Sequence, residues 1–449
     1  MRPFADMTLE ELIDPRGHAC ACGQHHAVTL KRVHLGQGAL GHLPASLEAI
    51  GVTRPFVVCD QHTRQAAWEG VKAQLDPAGI SYGFFCFNAP HLEPDEKACG
   101  ALTVALDPAC DGLLAVGSGV LNDICKVVGF ATGKPCAVVA TAPSMDGYAS
   151  DNASMIIGGV KVSLYNACPQ AIIADTDILC AAPERMLQAG LGDMLAKYVS
   201  ICEWRLSNLV TGEYYCENIA GLMRASLKRI VEAAPGLLQR DARAVSNVFE
   251  GLLLAGIAMA YAKVSRPASG LEHYFSHMWE MMALERGRVQ ELHGIQVGIG
   301  TLLTLQIWEH LKRIQPDRAR AEAFIHSFDE KAWEDLMRRV FGGAADKVIA
   351  TARAEGRNDS QAHARRLDIL LARWPDILRI AEEELPSHAD IHRLMASLRM
   401  PMTPRDIGFS QQDTADALLG ARDIRNKYLT SSMLWDLGLL YEVAPGWLQ

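Results

Sequence analysis

The sequence lacks the features of a secreted or membrane-spanning chain. Its first residues, MRPFADMTLEELIDPRGH, contain no apolar segment behind a basic one, so we expect no secretory signal. No run of about 18 apolar residues without charges occurs, and we expect no transmembrane helix. Basic residues are not in excess either. The 43 Lys and Arg stand against 52 Asp and Glu, a net charge of −9, which argues against a nucleic-acid partner.

Cysteine is absent from the second half of the chain, and the twelve cysteines of the first half are irregularly spaced. In a long chain without a signal, this is typical of reduced thiols in the cytoplasm. One segment, HACACGQHH, is denser in metal-binding side chains, with His18, Cys20, Cys22, His25 and His26. A structural zinc site usually combines two such half-sites, and no second pair follows nearby. We therefore interpret this segment as a glycine-containing loop before the first strand.

The first 180 residues alternate short apolar segments with helix-like ones. This alternation predicts βαβ units and a mostly parallel sheet. A hairpin is expected in SMIIGGVKVSLYN, residues 154–166, with Gly158 and Gly159 as its turn. The predicted strands are RPFVVCD (54–60), YGFFCF (82–87), GLLAVGSG (112–119), CAVVATA (136–142) and AIIAD (171–175).

Residues 181–449 have almost exclusively helical periodicity. The sequence thus predicts an α/β domain at 1–180 and an all-α domain at 181–449. Ligands of such α/β folds bind outside the carboxyl ends of the strands. The helices are expected to be separated by the prolines at 183, 235, 267, 375, 386 and 401.

Two segments have features of a nucleotide site. In AVGSGVLND an apolar strand ends at Gly117 and Gly119, and a helix is expected to begin at about 120–122. Glycines and a helix N-terminus suit a pyrophosphate, although Asn122 holds the place of a third glycine, and an ordinary strand–helix turn has the same pattern. Asp60 ends an early strand, where a carboxylate either binds a ribose or caps a helix. On a ribose it would favour NAD over NADP by repelling a 2′-phosphate.

Two further groups suggest chemistry. The segment TAPSMDGYAS, 141–150, follows a strand and contains Asp146, as a substrate loop or a capped turn would. Asp193, His273 and His293 are each expected at a helix start. One carboxylate and two imidazoles suit a divalent ion with open positions for substrate, although each residue taken alone is more typical of a structural role.

Together these segments resemble the bacterial NAD-dependent glycerol-1-phosphate dehydrogenases. That family belongs to a superfamily with glycerol dehydrogenases, iron-containing alcohol dehydrogenases and dehydroquinate synthases. The resemblance extends from about residue 28 to near the end of the chain, and HACACGQHH has no place in it. Its most specific segment is RPASGLEHYFSHMWEM beside LHG; the others are GSGVLND, TAPSMDGYAS, AGLGDMLAKYVSICEWRLS, LHGIQVG and PMTPRDIGFS with ARDIRNKYLTSSMLWDLGLL.

The resemblance implies a dehydroquinate synthase-like fold, in which residues 1–180 form the α/β dinucleotide-binding domain and residues 181–449 form the helical domain that binds metal and substrate. It also implies specific roles for residues. It implies Asp193, His273 and His293 as metal ligands, and Asp146, Asp193 and His277 as catalytic residues that also meet the substrate. Lys197 stands where iron-containing alcohol dehydrogenases have a histidine, and its charge suits a phosphorylated substrate. The implied cofactor-binding residues are Asp60, Gly117, Gly119, Val120, Leu121, Asn122, Asp123, Thr141, Ala142, Pro143, Ser144 and Ser150.

The implied activity is the metal-dependent interconversion of sn-glycerol 1-phosphate and dihydroxyacetone phosphate with NAD(H) or NADP(H). The implied metal is nickel or zinc, with iron a further option, and the implied assembly is a cytoplasmic homodimer. A glycerol or polyol dehydrogenase and a dehydroquinate synthase-type lyase are alternatives on the same scaffold. A non-enzymatic binding module would need neither the ligand set nor the nucleotide segment.

Overall fold

The computed structural model describes residues 2–158, 160–165 and 168–448. The chain divides into two compact units, each made of two chain segments. The first unit is Met1–Met194 with Cys216–Pro267, and the second is Leu195–Tyr215 with Ala268–Gln449. The sequence boundary at residues 180 and 181 marks the change from α/β to helical structure, and as a domain boundary it remains a prediction.

A six-stranded parallel sheet forms the centre of the first unit, in the order β3-β10-β7-β6-β4-β5. Two antiparallel pairs, β1 with β2 and β8 with β9, lie outside it. The strands are β1 His18–Ala19, β2 His25–His26, β3 Arg32–Gly36, β4 Pro55–Asp60, β5 Gly83–Phe87, β6 Gly112–Gly117, β7 Cys136–Ala140, β8 Asn152–Ile157, β9 Val160–Tyr165 and β10 Ala171–Asp175.

The central strands β6, β7 and β10 are buried along their whole length. Continuous apolar segments are typical of parallel strands covered on both faces, which explains why they were predictable. All five predicted strands are confirmed, within two residues at either end. The edge strand β3 and the β1–β2 pair were not predicted, because the polar and glycine-rich residues there hide the strand pattern.

The predicted hairpin is confirmed as β8 and β9, which pair in register from Asn152 with Tyr165 to Ile157 with Val160. Gly158 has φ +58°, a conformation that glycine adopts without strain. Gly159, the other predicted turn residue, lies outside the described residues, as does Asn166.

Helices of the first unit connect the strands and cover the sheet. The helix α11 is long and apolar enough to cross a membrane by length and composition, and 78% of its apolar window is buried inside the protein. It packs against α10 and α7. The helices are α1 Leu9–Leu12, α2 Leu43–Ala49, α3 Gln61–Thr63, α4 Glu69–Leu75, α5 Glu96–Ala105, α6 Gly119–Thr132, α7 Thr176–Cys180, α8 Glu184–Leu195, α10 Glu217–Ala233 and α11 Ala242–Ala262.

The described residues of the second unit are helical, as predicted. Pro375 follows a kink at Arg373 (φ −113°, ψ 16°), where two helices meet end to end, and the two together are named α17. The break expected at this proline is therefore confirmed. The helices are α9 Lys197–Thr211, α12 Leu271–Glu285, α13 His293–Leu311, α14 Arg318–His326, α15 Glu330–Phe341, α16 Ala345–Ala354, α17 Ser360–Glu384, α18 His388–Ser397, α19 Gln411–Ile424 and α20 Thr430–Asp436.

The helices α12 and α13 pack directly against each other. Gly300 makes this possible, because a Cβ atom at that position would lie 2.4 Å from the carbonyl oxygen of Glu272. The close approach places the first turn of α12 beside Gly300, and farther along α12 the carboxylate of Glu280 contacts Nδ1 of His293 at the start of α13. The packing of the two helices therefore positions His273 and His293.

Candidate active site

The carboxyl ends of β6 and β7 lie side by side, with Gly117 paired to Ala140. The helix α6 begins at Gly119, one residue earlier than predicted, and the Ser118 side chain makes no capping hydrogen bond. The first turn of α6 also contains no acidic residue. Its backbone N–H groups thus have no side-chain anion of their own, which is the arrangement that binds a phosphate at a helix N-terminus.

Asp60 is the last residue of β4, the strand next to β6. Its Oδ1 accepts a hydrogen bond of 2.7 Å from the backbone N–H of Thr63, so the carboxylate caps α3. The capping interpretation is therefore correct. It leaves the ribose interpretation open, because a carboxylate has a second oxygen.

The predicted loop 141–150 lies at the same edge of the sheet. The N–H of Thr141 donates to the carbonyl of Gly117 at 3.2 Å, and the amide of Asn122 donates to the carbonyl of Gly147. Tyr148, fully buried, donates its hydroxyl to the carbonyl of Ala142 at 2.7 Å. The structure thus brings the predicted nucleotide-binding segments together at the carboxyl-end edge of the sheet.

Lys126 fixes this loop, and sequence reasoning did not identify it. Its ammonium group is buried and donates to carbonyl oxygens of Gly147, Ser150 and Asn152. It also lies 3.2 Å from Oδ1 of Asp123. Burial raises the pKa of Asp123, and the charge of Lys126 opposes that rise. The sequence feature that could have identified Lys126 is its helical spacing, because it follows Asn122 by one turn.

Asp146 and Asp193, both predicted site residues, meet in the first unit. The backbone N–H of Asp146 donates to Oδ2 of Asp193 at 2.9 Å. Asp193 is fully buried and lies in the last turn of α8, so its expected position at a helix start is wrong. A buried carboxylate is a suitable ligand for a divalent ion.

The three predicted histidines cluster in the second unit. His273 lies in the first turn of α12, His277 one turn later, and His293 is the first residue of α13. The ring centroids of His273 and His293 are 5.2 Å apart, and those of His277 and His293 are 5.8 Å apart. The pairing of α12 with α13 thus brings together residues 20 positions apart in the sequence.

Two buried glutamates hold these imidazoles, and neither was predicted. Glu272 Oε1 lies 2.8 Å from Nδ1 of His273. Glu280 contacts Nδ1 of His277 and Nδ1 of His293, each at 3.1 Å. An imidazole that donates through Nδ1 has its lone pair on Nε2, the form that binds metals. Helical spacing was the available signal, because Glu280 follows His277 by three residues.

The environment of His277 sets its charge. Burial lowers the pKa of His277 to about 3, although the adjacent Glu280 opposes that change. The imidazole is therefore neutral near pH 7. One ligand atom each from His277, Glu280 and His293 lies within 4.8 Å of the others, so Glu280 is itself close enough to share in a metal site.

Lys197, predicted to contact substrate, begins α9 and is fully buried. Its Nζ donates to the carbonyl of Ala268 at 3.3 Å. A buried ammonium is weakly screened, so its charge acts over several ångströms.

Comparison with known proteins places this geometry in a family. Residues 34–183 match the family model of iron-containing alcohol dehydrogenases. A solved glycerol dehydrogenase from Schizosaccharomyces pombe has the same fold, with a TM-score of 0.60 at 15% identity, over 93% of this chain and 90% of that one. The chain thus has the fold of the iron-containing alcohol dehydrogenases and glycerol dehydrogenases.

Curated relatives narrow the class. The glycerol-1-phosphate dehydrogenase [NAD(P)+] of Bacillus licheniformis is 32% identical over 340 residues, which cover 74% of this chain and 85% of that protein. The protein of the same name from Halalkalibacterium halodurans is 29% identical over 415 residues, 91% of this chain and 93% of that one. The chain belongs to the glycerol-1-phosphate dehydrogenase family.

Proposed function

We propose that the chain interconverts sn-glycerol 1-phosphate and dihydroxyacetone phosphate, using NAD(H) or NADP(H) and one divalent metal ion. The names of its relatives supply the substrate and the coenzyme. The observation that carries the proposal is the cluster of His273, His277 and His293 on buried carboxylates. Neither a packed core nor a binding module needs three imidazoles held in this way.

The proposed metal ligands are Asp193, His273 and His293. The donor set fits a divalent ion, because the Nδ1 atoms of both imidazoles are held by carboxylates. A bound ion would polarise the C2 oxygen of the substrate as a Lewis acid, while the nicotinamide exchanges hydride with C2. Two imidazoles and one carboxylate suit Ni²⁺, Zn²⁺ or Fe²⁺.

The proposed coenzyme site is the edge formed by Asp60, Gly117 to Asp123, Thr141 to Ser144 and Ser150. The first turn of α6 would hold the pyrophosphate, since its N–H groups have no side-chain cap. Asp60 would accept hydrogen bonds from the adenosine ribose. A carboxylate there favours NAD(H) over NADP(H), because a 2′-phosphate would be repelled.

His277 is the proposed proton carrier. It is neutral near pH 7 and so accepts the proton of the C2 hydroxyl at Nε2 when glycerol 1-phosphate is oxidised. Glu280, beside Nδ1, stabilises the resulting imidazolium. Asp146 would accept hydrogen bonds from substrate hydroxyls, and the buried charge of Lys197 would attract the phosphate.

The experiment is NADH oxidation by chelator-stripped protein to which Ni²⁺, Zn²⁺ or Fe²⁺ is restored in turn. Dihydroxyacetone phosphate, free dihydroxyacetone and no substrate are compared. Metal-dependent oxidation with the phosphorylated ketone alone is the expected result, and the most active ion identifies the metal. NADPH in place of NADH measures the coenzyme preference.

Other outcomes would replace the proposal. Turnover of free dihydroxyacetone would identify a glycerol or polyol dehydrogenase, the activity named for the solved structure of similar fold. Turnover of neither ketone would leave a lyase of the dehydroquinate synthase type as the next reaction to assay. The homodimer remains a prediction, which size-exclusion chromatography with light scattering checks.

A further inference from the structure

A second group of metal-binding side chains lies in the first unit and has no part in the proposed dehydrogenase site. It consists of Cys20, Cys22, His26 and Cys216. One ligand atom from each lies within 4.8 Å of all the others. The sequence shows only the first three, since Cys216 follows His26 by 190 positions. The fourth ligand, which the sequence segment lacks, is therefore a single distant residue that the fold brings beside the other three.

The distances match a tetrahedral site. With Zn–S of about 2.3 Å and Zn–N of about 2.0 Å, two sulfurs lie about 3.8 Å apart, and a sulfur and a nitrogen about 3.5 Å apart. The Sγ atoms of Cys20 and Cys216 are 3.6 Å apart. Nε2 of His26 lies 3.3 Å from Sγ of Cys22 and 3.8 Å from Sγ of Cys216.

Local backbone structure brings the four ligand atoms close together. The residues between β1 and β2 form a turn in which the N–H of Gly23 donates to the carbonyl of Cys20 at 3.0 Å. Gly23 has φ +84°, which glycine allows. The turn places Cys20, Cys22 and His26 on one side of a short hairpin. Cys216 is the N-cap residue of α10, where the helix dipole favours a thiolate.

Neighbouring groups hold the ligands in place. Nδ1 of His26 lies 2.9 Å from the carbonyl oxygen of Tyr261, which directs Nε2 toward the sulfurs. The amide of Asn218 donates to Sγ of Cys20 at 3.6 Å. His26 and Cys216 are 1% and 0% exposed. Buried ligands that are held in place by neighbouring hydrogen-bonding groups are typical of a structural metal site.

The adjacent histidines do not compete for the same role. Nε2 of His18 lies 3.0 Å from the carbonyl oxygen of Glu11, and Nε2 of His25 lies 2.9 Å from that of Arg16. His25 is exposed, His18 is half-buried, and both are bonded to backbone. A disulfide between Cys20 and Cys216 is also not present, because their sulfurs are separated by nearly twice a covalent S–S length.

We propose that Cys20, Cys22, His26 and Cys216 bind a structural Zn²⁺ ion that joins the N-terminal hairpin to the start of α10. Three thiolates and one imidazole are a common structural zinc set, and four protein ligands leave no position open for substrate. The role is to fix the fold of the first unit. The site goes beyond the proposed dehydrogenase activity and shares no residue with it.

The test measures metal content rather than activity. Protein purified without chelator is analysed by elemental mass spectrometry as wild type, Cys22→Ser and Cys216→Ser. Cys99→Ser is the matched control, a partly exposed cysteine outside the group. We expect each ligand variant to lose one metal equivalent per chain, whereas Cys99→Ser retains the wild-type content. Equal content in wild type and Cys22→Ser would overturn the proposal.

Cobalt substitution distinguishes this site from the proposed catalytic one. Chelator-stripped wild type refilled with Co²⁺ should show a thiolate-to-cobalt charge-transfer band, which a site of Asp and His ligands cannot produce. His273→Ala should keep the band, and Cys22→Ser should weaken or abolish it. Absence of the band in wild type would overturn the proposal, as would a Cys20–Cys216 disulfide in unreduced protein. The wild-type measurement stands even if Cys216→Ser does not fold.

Discussion

The Nδ1 atom of His273 lies 2.8 Å from Oε1 of Glu272, the residue directly before it. Glu272 is fully buried, and its Oε1 also accepts the backbone N–H of Gly270 at 2.7 Å. This contact fixes the plane of the imidazole and the nitrogen that faces away from the carboxylate. Ligand orientation in the histidine cluster thus depends on a residue that need not touch metal or substrate.

Replacement of that carboxylate should weaken metal binding. We expect Glu272→Gln to lower the affinity for the divalent ion by about 10- to 100-fold, the usual cost of losing such a partner. Competition with a chromophoric chelator measures the affinity. Glu285→Gln, an exposed position at the end of the same helix, is the control and should behave as wild type. Unchanged affinity in Glu272→Gln would show that the contact is structural.

His277 should matter for turnover but not for metal content. We expect His277→Gln to reduce kcat with dihydroxyacetone phosphate by about 10²- to 10⁴-fold, the range of general acid–base catalysis. The protein should retain its metal, whereas His273→Ala should lose it. Steady-state kinetics with parallel metal analysis separates the two effects. A loss of metal from His277→Gln would instead place His277 among the ligands.

The low pKa of His277 predicts an acid-sensitive stability. Because burial lowers that pKa from 6.5 to about 3, the unfolded chain takes up this proton before the folded one does. The contribution of this pKa shift to the free energy of unfolding is complete above pH 6.5 and is lost as the pH falls toward 3. Metal-free His277→Gln should therefore lose less free energy of unfolding than metal-free wild type over this interval. Urea titrations of both proteins at several pH values measure this, and an equal loss of unfolding free energy in the two proteins would contradict it.

Lys126 should contribute both to stability and to coenzyme binding. Lys126→Met leaves Asp123 without its buried cation, and removal of one partner of such a pair costs about 3 kcal/mol of unfolding free energy. The loop from Gly147 to Asn152 also loses its donors, so KM for NADH should rise. Lys72→Met, on an exposed part of α4, is the control. A variant as stable as wild type would show that the contacts are dispensable.

Asp60 should set the coenzyme preference. Asp60→Ser keeps an oxygen that can cap α3 but removes the charge, so the ratio of kcat/KM for NADH to that for NADPH should fall. Asp95→Ser tests the capping alone, because Asp95 caps α5 with a hydrogen bond of 2.8 Å from Ala98. An unchanged ratio in Asp60→Ser would place the ribose elsewhere.

Local patterns explain what could be predicted from the sequence. The strands β6 and β7 are unbroken apolar segments, and the glycines after β6 mark the start of α6. The histidines were recognised because helical spacing puts His273 and His277 on one face. Each of these signals lies within a few residues and needs no knowledge of distant contacts.

Distant contacts explain what was missed. Cys216 joins the hairpin cysteines across 190 residues, a separation at which spacing carries no information. The contacts of Lys126 depend on how a later loop folds back over α6. Glu280 shows its helical spacing in the sequence, but its position between two imidazoles depends on the packing of α12 against α13.

The division of the chain has a consequence for its synthesis. The strands leave the ribosome before residues 216–267, yet α10, α11 and Cys216 belong to the same compact unit as the sheet. The nascent first unit cannot be complete until Pro267 has emerged. The segment Leu195–Tyr215 cannot form its compact unit until residues 268–449, the rest of that unit, have been synthesised. Each unit is thus interrupted in the sequence by a segment of the other, and each is completed only by residues made after that interruption.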